Sequence, residues 1–145
     1  MLTQNGKIYF RSANISNQEN CTLINLDGTD MDHFCPNTAY GGILVGTGGS
    51  TPASSSDYCL SSQNDELTLV ANTATQNQNR AADFMNAFSA TYKNNTDHTV
   101  NISELGVYYY NTYVSRNPSF LVIRETFDPI SIEPGKSYTF SVVMG

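Results

Sequence analysis

A chain of 145 residues is long enough for one domain with a real core and too short for two ordinary ones. Only 7 Lys and Arg face 13 Asp and Glu, a formal net charge of -6, so neither nucleic acid nor an anionic membrane is an expected partner. Charged residues make up 14%, and the remaining polar share is Asn, Ser, Thr and Gln beside 9 Tyr, 7 Phe and no Trp, a mix that suits a β protein with a neutral polar surface.

The opening MLTQNGKIYF has no apolar stretch behind a basic start, so no export signal is expected, and no run approaches the roughly 18 apolar residues of a membrane span. KIYFRSANI, residues 7 to 15, alternates loosely and reads as an edge strand or an extended arm. In CTLINLDGTD, Leu23 to Leu26 followed by Asp27-Gly28 predicts a small hairpin, since that dipeptide accepts the positive φ of a tight turn. Tyr40 to Val45 is a short buried strand whose glycines suggest close approach of another backbone. Residues 46 to 62, GTGGSTPASSSDYCLSS, leave almost nothing to bury and predict a long surface loop.

Glu66 to Ala71 alternates as a strand and is followed by the polar tract Asn72 to Asn79. Arg80 to Lys93 fits a helix face through Ala81, Phe84, Phe88 and Tyr92, or a strand face through Ala82, Phe84, Phe88, Ala90 and Tyr92. The turn cluster Asn94 to Asp97 favours the strand, as one arm of a hairpin leading into the next strand. That next stretch, residues 98 to 127, organises the chain as two long strands joined by a polar turn over Asn111 to Pro118.

Val100 and Ile102 alternate with polar residues, and the apolar phase then jumps by one to Leu105, Val107 and Tyr109. The jump predicts a β-bulge around Glu104 to Gly106. Phe120 to Ile123 is apolar on both faces, as a central strand would be. Ile130 and Ile132, then Glu133-Pro134-Gly135-Lys136, then Tyr138, Phe140 and Val142 predict a type II turn closing a last hairpin.

The sum is an all-β antiparallel sandwich, jelly-roll or Ig-like, with little helix. Its expected core holds Phe84, Phe88, Val100, Ile102, Val107, Leu121, Ile123, Ile130, Ile132, Phe140 and Val142. Cys21, Cys35 and Cys59 lack zinc-finger spacing and are odd in number, so free buried thiols are expected. Sequons at Asn14, Asn20, Asn94 and Asn101 are common by chance in so Asn-rich a chain.

No motif carries chemistry. Gly41 to Gly49 lacks the Lys-Ser/Thr of a phosphate loop. Asp30, Asp32, His33 and Cys35 form a weak ligand set, better read as a solvated acidic loop, so neither metal nor cofactor is expected. His33 and His98 have no triad neighbours in sequence, and the protein is not expected to be an enzyme. Glu104, at the bulge, should accept backbone amide bonds that the broken ladder leaves free or pair with Arg124 across strands. Tyr108, Tyr109, Tyr110 and Tyr113 place aromatics on both faces of one strand and form a candidate interface.

Read in order, ILVGTGGSTPASSSDY (Ile43 to Tyr58), ATYKNNTDHTVNISELGVYY (Ala90 to Tyr109) and FLVIRETFDPISIEPGKSYTFSV (Phe120 to Val142) resemble a group of tailed-bacteriophage structural proteins. These carry a GTG, TP, DY loop, an Asn-x-Ser-Glu-x-Gly strand and a Pro-Gly hairpin near the C-terminus. The likeness spans roughly residues 40 to 143 and implies a β-sandwich that assembles on a head or tail, as head fibre, capsid decoration or tail accessory.

On that basis residues 40 to 145 are the sandwich, and residues 1 to 39 are an attachment arm. The expected partners are capsid or tail proteins and further copies of the chain, a trimer by analogy with phage fibres. The expected location is the virion, after synthesis in the host cytoplasm. The rival expectation is a host-surface or carbohydrate-binding module, whose open tyrosine groove would take a host glycan.

Overall fold

A computed structural model describes residues 1–7, 20–34, 38–75, 87–111 and 119–143. The protein is an all-β antiparallel sandwich. Its strands are β1 (Asn20–Ile24), β2 (Asp30–Phe34), β3 (Thr38–Gly46), β4 (Thr68–Thr75), β5 (Ala87–Lys93), β6 (Val100–Asn111), β7 (Ser119–Ile132) and β8 (Ser137–Val143). Two three-stranded sheets, in the orders β3-β6-β7 and β4-β5-β8, form the sandwich, and β1-β2 is a separate hairpin turned at Gly28, whose φ is +86°.

Alternation puts Leu105, Val107 and Tyr109 of β6 on the inner face, opposite Phe88, Ala90 and Tyr92 of β5 and Phe140 of β8. Aromatic rings join the sheets: Phe88 lies 5.4 Å from Tyr40 and 6.3 Å edge-on from Tyr109. The Tyr92 hydroxyl crosses the core and donates to the Ile43 carbonyl at 2.5 Å.

Most of the expected core is buried as read, with Ile130 and Val142 packed at its margin and Phe84 outside the described residues. Leu121 is buried on the opposite face. There a Cβ on Gly106 would meet its side chain at 2.5 Å and that of Leu60 at 2.9 Å.

Burial pushes the phenols of Tyr92 and Tyr40 up to about 12, with neighbouring Tyr108 adding to both. A folded-state value above the ordinary 10.0 leaves stability intact below pH 10 and removes it as the pH rises toward 12. Denaturant midpoints should therefore fall across that window, and Tyr92→Phe should flatten the fall. The same substitution should cost about 1–3 kcal/mol at neutral pH, because the Ile43 carbonyl loses its partner.

Both predicted corner turns form, but neither closes a hairpin. Residues 94–99 carry the chain from β5 in one sheet to β6 in the other, and residues 133–136 carry it from β7 to β8. At the second, Gly135 has φ +79° and Lys136 N–H donates to Glu133 O at 3.0 Å, the geometry of the expected Pro-Gly turn. Asn94, fully buried, ties the two together: its amide donates to His98 O and Ile132 O, and its backbone exchanges bonds with Gly135 and Lys136. So enclosed a side chain cannot be a glycan acceptor in the folded protein, whatever its sequon.

The central strand is β6, not β7. Phe120 to Ile123 is nevertheless buried because other segments cover it. Residues 1–3 run antiparallel beside β7, with Leu2 bridged to Ile123, Thr3 N–H donating to Val122 O and Arg124 N–H to Met1 O. Thr3, fully buried, caps the single helical turn of residues 4–7: its hydroxyl accepts from Gly6 N–H at 3.0 Å and donates to Leu121 O at 2.7 Å. Residues 1–7 are thus docked along the edge of β7. The alternating segment 7 to 15 lies outside the described residues beyond Lys7.

Candidate functional site: a buried ion-pair clamp under the glycine loop

Glu104 and Arg124 face each other from adjacent strands β6 and β7, on the side of the sheet away from the sandwich core, and both are buried. Burying two charges costs several kcal/mol per ion unless every polar atom finds a partner. Here every one does.

The five N–H donors of Arg124 are all used. Its Nε donates to Glu104 Oε2 at 2.9 Å, Nη1 to Asp57 Oδ2 at 2.9 Å and Pro52 O at 3.2 Å, and Nη2 to Thr51 O at 3.0 Å and Gly48 O at 3.2 Å. Glu104 Oε1 accepts from the backbone of Gly48 at 3.0 Å and Ser62 at 2.7 Å, and Oε2 also accepts from Ser61 N–H at 3.0 Å. Ser103 takes Gly49 N–H at 2.9 Å. The loop of residues 46–62 runs over the surface as expected and is fastened at both ends and in the middle.

The glycines are there for closeness. A Cβ on Gly48 would sit 2.4 Å from Glu104 Oε1, and one on Gly46 2.4 Å from Ser62 O. Successive glycine amides do cradle an anion, and it is the protein's own carboxylate.

The carboxylate pairs with Arg124 as expected, but the amides it accepts come from the loop and not from a broken ladder. The register shifts lie between Ile102 and Glu104 and between Val107 and Tyr108, and in both the additional residues are on β7. Gly106 itself is in register with Arg124, so its lack of a side chain serves packing against Leu121 and Leu60 and not a bulge.

The expected tyrosine interface is divided by the pleat. Tyr109 is core, 3% exposed. The Tyr108 ring is half-buried over Gly41, where a Cβ would come within 2.2 Å, so an aromatic ring, not a backbone, requires that glycine. Tyr110 is 38% exposed, and Tyr113 lies outside the described residues.

His98, without triad neighbours in sequence, sits on the surface between Asp97 at 3.1 Å and Glu66 at 2.5 Å. These carboxylates, Asp97 foremost, raise its pKa above the ordinary histidine value and occupy both ring nitrogens. Cys59 is a free thiol whose pKa burial pushes up, with Asp57 adding to the effect. The side chains of Cys21, Asp30, Asp32 and His33, and all of Cys35, lie outside the described parts. Among the described residues no group of three or more His, Cys, Asp or Glu is placed to hold a metal, and no helix is long and apolar enough to cross a membrane.

Sequence reasoning missed Asp57 and the carbonyls of Gly48, Thr51 and Pro52 as parts of the clamp. The signal that could have found them is the order Gly-Thr-Gly, Thr-Pro, Asp-Tyr in a stretch with little else to bury.

Fold and clamp together define an all-β sandwich protein with one long loop locked onto a sheet by a buried ion pair. Comparison with protein-family models, curated proteins and solved structures finds no match.

Proposed function

We propose that this protein is a structural component of a tailed-bacteriophage particle, a head fibre, capsid decoration or tail accessory protein, that works through protein–protein assembly and catalyses no reaction. The observation that carries the reading is the convergence of the resembling segments. The GTG, TP and DY pieces, Glu104 of the Asn-x-Ser-Glu-x-Gly strand and Arg124 of the FLVIR strand meet at one clamp, although up to 76 positions separate them in sequence. Their meeting at one site supports reading them as parts of one loop-on-sheet device.

Exposed Leu69, Val70, Tyr110, Tyr138 and Val143 supply apolar contacts for copies of the chain, a trimer by analogy, and for capsid or tail proteins. Attachment falls to the part of residues 1 to 39 beyond the docked first seven. The glycan-groove alternative is weaker, since Tyr109 is interior and Tyr108 half-covered. Mass spectrometry of purified virions should find the protein in fixed ratio to capsid or tail proteins. Its absence from washed particles would overturn the reading.

A further inference from the structure

We infer that the cleft between the helical turn of residues 4–7, the β1 end and the 55–58 part of the long loop is a binding subsite for one neutral sugar ring. The cleft has a volume of about 240 Å³. That is below the roughly 300–1,000 Å³ of sites for drug-sized ligands and suits a single ring.

Its walls are held independently of any ligand. Gln4 N–H donates to Ser55 O at 2.6 Å, and the Asn5 side chain pairs with both backbone groups of Ile24, at 2.6 and 2.8 Å. Asp57 is anchored by Arg124. The Tyr58 ring lies against Gly28, where a Cβ would come within 3.2 Å.

What the walls present is mixed in the way a sugar is mixed. Tyr58 is 40% exposed and offers a ring face for sugar C–H groups, with Ile24 as a second apolar surface. Asp57 Oδ2 is taken by Arg124 and by Ser54 N–H, but among the described residues Oδ1 accepts no hydrogen bond and can take a sugar hydroxyl. The Gln4 side chain likewise has no hydrogen-bond partner there, and Ser56, whose hydroxyl is bonded to that of Ser54 at 2.9 Å, also lines the cleft.

Other ligand classes fit worse. An anion would meet the Asp57 carboxylate with all five Arg124 donors already spent. A purely apolar ligand would strip water from Asp57 and the serines without replacing it. A metal ion would find one carboxylate where several oxygens are needed.

The inference is separate from the assembly reading, since virion incorporation and sugar binding are measured by different experiments. The full-length protein would be titrated with glucose, galactose and N-acetylglucosamine, each to about 50 mM, and followed by amide NMR, because one subsite of this size binds in the millimolar range. Saturable shifts at Gln4, Ser56, Asp57 and Tyr58 with at least one sugar are expected. Tyr58→Ala should weaken binding by about tenfold or more, and Tyr58→Phe should retain it.

Gln4→Ala, a change at an exposed side chain, should weaken binding with the unfolding midpoint unchanged, which separates lost contact from lost fold. No saturable shift with any of the three sugars would overturn the assignment, as would shifts that survive both alanine substitutions.

Discussion

Replacing Arg124 by Ala should lower the stability of the protein by about 3–5 kcal/mol, because it leaves the buried Glu104 carboxylate without its counter-charge. For a chain of this size that is a fall in Tm on the order of 10 °C. The same change frees Asp57 and the carbonyls of Gly48, Thr51 and Pro52, so the loop loses its central anchor while its ends stay bonded through Thr47 and Asn64.

Glu104→Gln should cost less. It keeps one oxygen for some of the Gly48, Ser61 and Ser62 amides, puts an NH2 donor in place of the other, and leaves Arg124 its second carboxylate, Asp57. The decisive measurement is a double-mutant cycle by urea unfolding. Arg124→Met with Glu104→Gln should cost less than the sum of the two singles by 0.5 kcal/mol or more, within the range of about 0.5–3 kcal/mol measured for contacting pairs. Strict additivity, or an Arg124→Ala penalty below about 1 kcal/mol, would show that the clamp is not what holds the loop.

Removal of residues 1–7 should destabilise the sandwich by about 3 kcal/mol or more, since seven hydrogen bonds join them to the rest of the protein at about 0.5–1.5 kcal/mol each. Four run to β7, from Thr3 N–H to Val122 O, Arg124 N–H to Met1 O, Met1 N to Arg124 O and the Thr3 hydroxyl to Leu121 O, and the others are Gln4 N–H to Ser55 O and the two between the Asn5 side chain and Ile24. The deletion also uncovers the free edge of β7 beside the ion pair. Thr3→Ala, which removes the helix cap and the Leu121 bond, should show about 1–2 kcal/mol of that loss. If the truncated protein unfolds at the same urea concentration as the full chain, these residues are an arm after all, and their docking contributes nothing to the fold.

Local signals determined a good deal of this protein. Period-two alternation is a property of a strand by itself, so β6, β7 and β8 could be read from Val100 to Tyr109 and from Ile130 to Val142. Asp27-Gly28 and Pro134-Gly135 could be read as turns because the positive φ of each glycine is a short-range demand. A carboxylate at a jump in apolar phase could be read as one that must be satisfied, since leaving it unpaired would be too costly.

What only the tertiary structure decided is who satisfies it and which strands are neighbours. Turn chemistry specifies that the backbone reverses, not the sheet it enters next, so residues 94–99 and 133–136 look like hairpin turns yet pass between sheets. The loop donors to Glu104, unlike Arg124, lie 42 to 56 positions away and are backbone amides, which carry no residue identity for a sequence to display. Residues 1–7 are too short and polar to show an apolar pattern, and they are held by backbone ladder bonds that any sequence could make and by Thr3 and Asn5 side chains whose distant partners are backbone groups. Their place in the fold follows from β7 having an open edge, and the strand sequence alone does not reveal that edge.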